Sequence, residues 1–173
     1  MKLKDKKIAI FVEDMFEDLE FWYPNIRMKE EGAEVVVVAP KAGQTYTGKH
    51  GLPAKSDLAV SSVETNEFNA LIIPGGYSPD KMRRYKEMVD FVKKMNDEKK
   101  LIAAICHGGW MLASADIING RKLTSFFSIK DDLIHAGAEW IDQEVVCDGN
   151  IITSRNPHDL PAFCREIIKV LGK

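Results

Sequence analysis

Three groups of residues in this chain could do chemistry. The first is Cys106-His107-Gly108-Gly109, a thiol and an imidazole side by side ahead of two glycines. The second is the acidic pair Glu17 and Glu20. The third is Gly75-Gly76, directly after Pro74. A thiolate is a strong nucleophile, and a neighbouring imidazole can move its proton. A carboxyl beside a thiol acts in one of two ways. Protonated, it donates a hydrogen bond to the thiolate and stabilises it. Ionised, it repels the thiolate. Glu20 is useful to Cys106 only when protonated, so its pKa is expected to be raised by burial and by coupling to the thiol. A glycine pair leaves backbone N–H groups free to face a ligand, and Gly76 and His107 could offer N–H donors to an oxyanion. Glu17 and Gly75 complete the expected substrate contacts. Neighbouring residues on a turn often point apart, so a third group is expected to orient His107.

The elements around these residues bring them together. Leu101 to Ile105 is an unbroken apolar run and reads as a buried strand. Met111, Leu112 and Ala113 restart an apolar pattern that reads as a helix. Cys106 therefore falls on a sharp strand-to-helix turn, the geometry of a nucleophile elbow, where the start of the helix favours a thiolate. Ile8 to Val12 reads as a first strand. A helix follows from about Glu17 to Glu31, bent or split at Pro24. Val35 to Ala39 and Ala70 to Ile73 read as further strands. Thr47-Gly48-Lys49-His50-Gly51 reads as the turn of a small hairpin. Ser78 is expected to cap a short helix with Pro79 at its first position.

Further along, the pattern predicts a helix from Lys86 to Asp97 and extends the elbow helix to Asn119-Gly120. It predicts a strand over 123–127 and a helix over 129–136. A hairpin runs from Trp140 to Ser154 around Asp148-Gly149-Asn150, and a helix from Asn156-Pro157 to Leu171. Strand and helix alternate throughout, which predicts a doubly wound, mostly parallel α/β sheet with helices on both faces. Ligands of such sheets bind at the carboxyl ends of the strands.

Composition narrows the function classes. The 173 residues carry a net charge of −2 with scattered Lys and Arg, so no nucleic-acid groove or membrane-binding face is expected. A single domain over 1–173 is expected. The charged stretch Met1 to Lys7 leads straight into a strand and reads as no signal peptide. Cys106, Cys147 and Cys164 form neither a metal spacing nor an even disulfide set, which suits a reducing cytoplasm. Cys147 and Cys164 read as packing residues, as do Trp22, Trp110 and Trp140. His50, His135 and His158 read as loop or surface residues.

Several stretches together resemble a known family. They are Phe16-Glu17-Asp18-Leu19-Glu20 with Pro24, Thr47-Gly48-Lys49-His50-Gly51, Pro74-Gly75-Gly76 with Ser78-Pro79-Asp80, Ala104-Ile105-Cys106-His107-Gly108, and Thr153-Ser154-Arg155 with Pro157. The chain resembles the ThiJ/PfpI superfamily, in particular its short branch of PfpI-like intracellular proteases and general stress proteins. The resemblance covers essentially the whole chain. It implies a flavodoxin-like sandwich related to the class I glutamine amidotransferase fold, with no cofactor and no metal. It also implies catalysis by Cys106, His107 and Glu20, with an acid at the position of Asp80 reaching His107 from a neighbouring subunit. Dimers or hexameric rings of dimers are implied too. The family's activities include peptidase, glyoxalase-type hydration of methylglyoxal, and deglycation.

This sequence departs from the family at Met15, where an acid is common. Trp110 follows Gly109 where many relatives read Pro-Gln after the first glycine. Phe126 stands where the archaeal proteases carry a tyrosine, and Asp80 where they carry a glutamate. The expected function is a cysteine hydrolase of small carbonyl or amide substrates in stress protection. The competing expectation is a redox sensor or chaperone-like protein using an oxidisable Cys106. A glutaminase-like reading fails because no glutamate follows the late His158 at the required spacing.

Overall fold

The computed structural model describes residues Met1–Lys173. In chain order the elements begin with β1 (Lys7–Phe11), α1 (Asp18–Glu30), β2 (Glu34–Ala39), β3 (Thr45–Thr47), β4 (Pro53–Lys55), β5 (Leu58–Ala59) and β6 (Ala70–Ile73). Then come α2 (Ser78–Met82), α3 (Lys86–Asp97), β7 (Leu101–Ile105), α4 (Gly109–Ser114), β8 (Lys122–Leu123) and α5 (Lys130–His135). The chain closes with β9 (Glu139–Trp140), β10 (Val146–Asp148), β11 (Ile151–Ser154) and α6 (Leu160–Leu171).

Seven strands form one sheet in the order β10-β11-β7-β6-β1-β2-β5. All neighbours are parallel except the β10–β11 hairpin. Both faces are covered, which is why strands such as Ile8–Phe11 and Leu101–Ile105 read as continuous apolar runs. Ile8, Ile10, Ala103 and Ile105 face the layer of α1 and α6, built on Phe21, Met28, Phe163 and Ile167. Ala9, Phe11, Ile102 and Ala104 face α3, α4 and α5 through Phe91, Val92, Met111 and Leu133. β1 leads to β2 on one side and β6 leads to β7 on the other. The strand order thus reverses between β1 and β6, and the crevice of a doubly wound sheet opens at their carboxyl ends. No helix is long and apolar enough to cross a membrane.

Tertiary contacts move several predicted boundaries. α1 runs unbroken through Pro24. The elbow helix stops at Ser114, not Asn119; Asp116 turns the backbone left-handed just beyond it, with φ 55°. The strand predicted over 123–127 shrinks to β8, which pairs in parallel with β9 outside the main sheet. Beyond β8 the chain dives toward the elbow, where Phe126 N–H donates to the Cys106 carbonyl at 3.3 Å. The hairpin's first strand begins only at Val146, because Trp140 belongs to β9. Ser78 does not cap α2; Tyr77 holds that position, and Ser78 Oγ donates to the Gly75 carbonyl at 3.0 Å. Cys164 packs in the core as expected, but Cys147 is exposed.

Candidate active site

Glu17, Glu20, Gly76, Cys106 and His107 meet at the carboxyl ends of β1, β6 and β7, whereas Gly75, expected to touch substrate, lies outside the cavity lining and gives its N–H to Glu20. β7 ends at Ile105, and Cys106 takes a left-handed turn with φ 61° before a 3-10 turn over Cys106–Gly108 leads into α4. A non-glycine residue held there stores backbone strain, as a nucleophile elbow does. The turn also aims His107 at its neighbour. Nδ1 of His107 lies 3.2 Å from Cys106 Sγ, whereas adjacency on a turn predicts side chains that diverge. Its Nε2 lies 3.2 Å from Ser128 Oγ. Burial, helped by the charge of Lys49, lowers the His107 pKa, so the ring is neutral at neutral pH.

Glu20, on the first turn of α1, has no solvent exposure. Its Oε2 accepts the N–H of Gly75 at 2.8 Å, while Oε1 has no hydrogen-bond partner. Burial chiefly, then the charge of Glu17, raises its pKa to about 8 against the opposing Gly75 hydrogen bond. The expected neutral carboxyl is therefore present. The expected thiolate is not what the resting fold favours. Burial and then a Glu20 charge push the Cys106 thiol up, against N–H bonds from Gly76 and His107. A Glu20 charge raises the thiol, whereas the thiol's hydrogen bond lowers Glu20, so burial and Glu17, not the expected coupling to Cys106, keep the carboxyl protonated. Once protonated it no longer repels sulfur.

Gly76 has φ 73°, and a Cβ there would lie 2.4 Å from the Met15 carbonyl oxygen. Only glycine leaves room for the bridge that ties this loop to Phe16. A cavity of about 190 Å³ opens over the thiol, lined in part by Glu17, Glu20, Gly76, Cys106, His107 and Phe126.

Glu17 lines that cavity but is already engaged. Its Oε2 meets Lys49 Nζ at 3.1 Å and His50 Nε2 at 3.4 Å. Lys49 and His50 come from the turn between β3 and β4, which Asp18 pins down. The Asp18 carboxylate is buried and accepts the N–H groups of His50 and Leu52, both at 2.8 Å. Oxygens of Glu17 and Asp18 lie near a ring nitrogen of His50, as in a cation site, but these bonds and the ion pair account for the grouping.

Asp80 does not approach His107 within the chain. It pairs with Arg84 one turn along, with its side chain 46% exposed.

Sequence reasoning passed over Lys49, Asp18 and Ser128. The signal for Lys49 was its place in the hairpin turn, and for Asp18 its place between two glutamates. Ser128 carried none, since a long stretch of chain separates it from β7.

Sheet order, a thiol on a strained strand-to-helix elbow, and a buried carboxyl beside that thiol define a flavodoxin-like α/β protein with a cysteine at the carboxyl end of β7. Residues 6–170 match the DJ-1/PfpI family, and the chain belongs to that family. It is 47% identical over 165 residues to Deglycase PfpI of Pyrococcus furiosus, covering 95% of this chain and 99% of that one. It is 42% identical over 170 residues to General stress protein 18 of Bacillus subtilis, covering 97% and 99% respectively. Drosophila melanogaster DJ-1beta superposes with a TM-score of 0.91 at 27% identity, over 97% of this chain and 91% of that one.

Proposed function

We propose that this chain is a cysteine-dependent hydrolase of small carbonyl or amide compounds, acting in stress protection as a deglycase, glyoxalase-type enzyme or intracellular peptidase. The names of the relatives, a deglycase and a general stress protein, support the class. The observation that carries the chemistry is the neutral, fully buried Glu20 facing Cys106 with Oε1 unpartnered. A protonated Oε1 would donate to the thiolate once it forms, and a bond made only then favours the charged sulfur.

In this reading His107 takes the thiol proton and sulfur attacks the carbonyl carbon. The C–S bond forms as the π pair moves onto oxygen, and the N–H groups of Gly76 and His107 receive that oxyanion. The proton returns from His107 to the oxygen, giving a hemithioacetal from an aldehyde. With an amide, the proton goes to the leaving nitrogen instead, and water then releases the acyl group.

The cavity's size favours small carbonyls and carbonyl adducts on exposed side chains over a folded peptide segment. The active form is a homo-oligomer, dimer or hexamer, in which Asp80 of a neighbour reaches His107. An exposed apolar stripe on α1, of Leu19, Tyr23 and Ile26, supports self-association.

The test is methylglyoxal turnover alongside sedimentation. Wild type is expected to turn over as an oligomer, and Cys106→Ser to lose activity with its assembly intact. Full activity in Cys106→Ser would remove the nucleophile from the mechanism.

A further inference from the structure

The His107 ring is clamped. It stacks on Phe126 at 5.2 Å between centroids with planes 29° apart, and it meets the Trp110 ring edge-on at 5.0 Å. With the ring plane held, its two nitrogens have fixed directions. Nδ1 faces Cys106 Sγ and Nε2 faces Ser128 Oγ, both at 3.2 Å. Ser128 stands on the 3-10 turn Phe127–Ile129. That turn is tied to the nucleophile's own backbone, since Phe126 N–H donates to the Cys106 carbonyl. The acid expected to orient His107 lies elsewhere in this chain, on Arg84.

We infer that Ser128 is a positioning residue: its hydroxyl accepts the Nε2–H of His107 and so leaves Nδ1 free to take the thiol proton. The inference deepens the proposed hydrolase and rests on that reading. A neutral imidazole carries one N–H and one lone pair, so a partner at one nitrogen decides the role of the other. The 3.2 Å approach of Nδ1 to Sγ makes that nitrogen the acceptor for the thiol's hydrogen. Nε2 then bears the ring hydrogen, and Ser128 Oγ is its acceptor.

On activation the S–H bond breaks, its electron pair stays on sulfur, and the proton forms Nδ1–H. No other atom changes its bonding. The imidazolium so formed donates a charge-assisted bond to Ser128, stronger than the neutral ring did. Ser128 therefore stabilises the ion pair more than the neutral pair and raises the thiolate share. This contact is made within one chain.

The experiment compares wild type, Ser128→Ala and Ser128→Thr. Ser128 is solvent-exposed, so truncation leaves the fold intact, which a thermal melt verifies. Imidazole ¹⁵N NMR, with His107→Gln to assign the signal, should find the Nε2–H tautomer in wild type. In Ser128→Ala the population should move toward Nδ1–H. Iodoacetamide labelling of the Cys106 peptide, followed against pH by mass spectrometry, should show a higher midpoint in Ser128→Ala, restored in Ser128→Thr. kcat should fall about tenfold with KM little changed, the value of one charge-assisted bond. An unchanged tautomer and midpoint in Ser128→Ala would overturn the inference even if turnover fell. Full turnover in Cys106→Ser would instead strike the nucleophile reading, and the tautomer measurement would still decide the role of Ser128 independently.

Discussion

The N–H of Gly75 donates to Oε2 of Glu20 at 2.8 Å, and no side chain could stand between them. A Cβ on Gly75 would come 2.6 Å from that oxygen, 2.7 Å from Cys106 Cβ and 2.9 Å from the backbone nitrogen of His107. One missing methyl group lets three strand ends close on a single sulfur atom.

Gly75→Ala is therefore expected to force Glu20 and the elbow apart. The cost should be on the order of 1–3 kcal/mol, as for overpacking a buried site, with activity lost. Denaturant unfolding and methylglyoxal turnover measure the two effects. A variant as stable and as active as wild type would show that the loop yields freely.

Glu20 gives stability a pH dependence of known sign. Its folded pKa, about 8, lies above the ordinary carboxyl value of 4.5, so the folded state holds a proton that the unfolded chain has lost. The stabilisation is full below 4.5 and is lost as pH rises through about 8, at up to about 1.4 kcal/mol per pH unit. Glu20→Gln keeps an acceptor for the Gly75 N–H and cannot ionise. Its unfolding free energy should show a flatter slope over that window, and equal slopes would place the proton elsewhere.

Asp18 should matter without touching the thiol. Asp18→Ala leaves the backbone N–H groups of His50 and Leu52 without their acceptor, a loss of roughly 1–3 kcal/mol. The β3–β4 turn should become an early proteolytic site, and KM should rise as Lys49 drifts from Glu17. An uncut turn with unchanged KM would refute this role.

Asp80 tests assembly. If a neighbour's Asp80 serves His107, Asp80→Asn should lower turnover several-fold with little change in melting temperature, because the side chain is partly exposed and its Arg84 contact lies on the surface. Dilution into monomers should lower wild-type turnover to a similar level. Specific activity that is constant on dilution would leave His107 to groups of its own chain.

Much of this molecule was legible in one dimension. The run Leu101–Ile105 ending at Cys106, and the pairs Gly75-Gly76 and Glu17/Glu20 at other strand ends, specified a cysteine on a strand-to-helix elbow in a parallel sheet. Local apolar runs and glycine placement encode that information directly. α3 matched its predicted span because Met88, Phe91, Val92 and Met95 repeat at helical spacing over one buried face.

What the sequence could not decide was set by distance through space. A proton on Glu20 was expected from what the thiol needs, but the complete burial that holds it comes from docking α1 against the Gly75 loop, which residue type alone does not report. Lys49 reaches the cavity only because Asp18 captures the turn that carries it. Ser128 meets His107 only because the segment after β8 leaves its predicted strand and folds back over the elbow. Periodicity records which face of an element is buried, whereas the partner of an individual nitrogen or oxygen is fixed only when the loops dock.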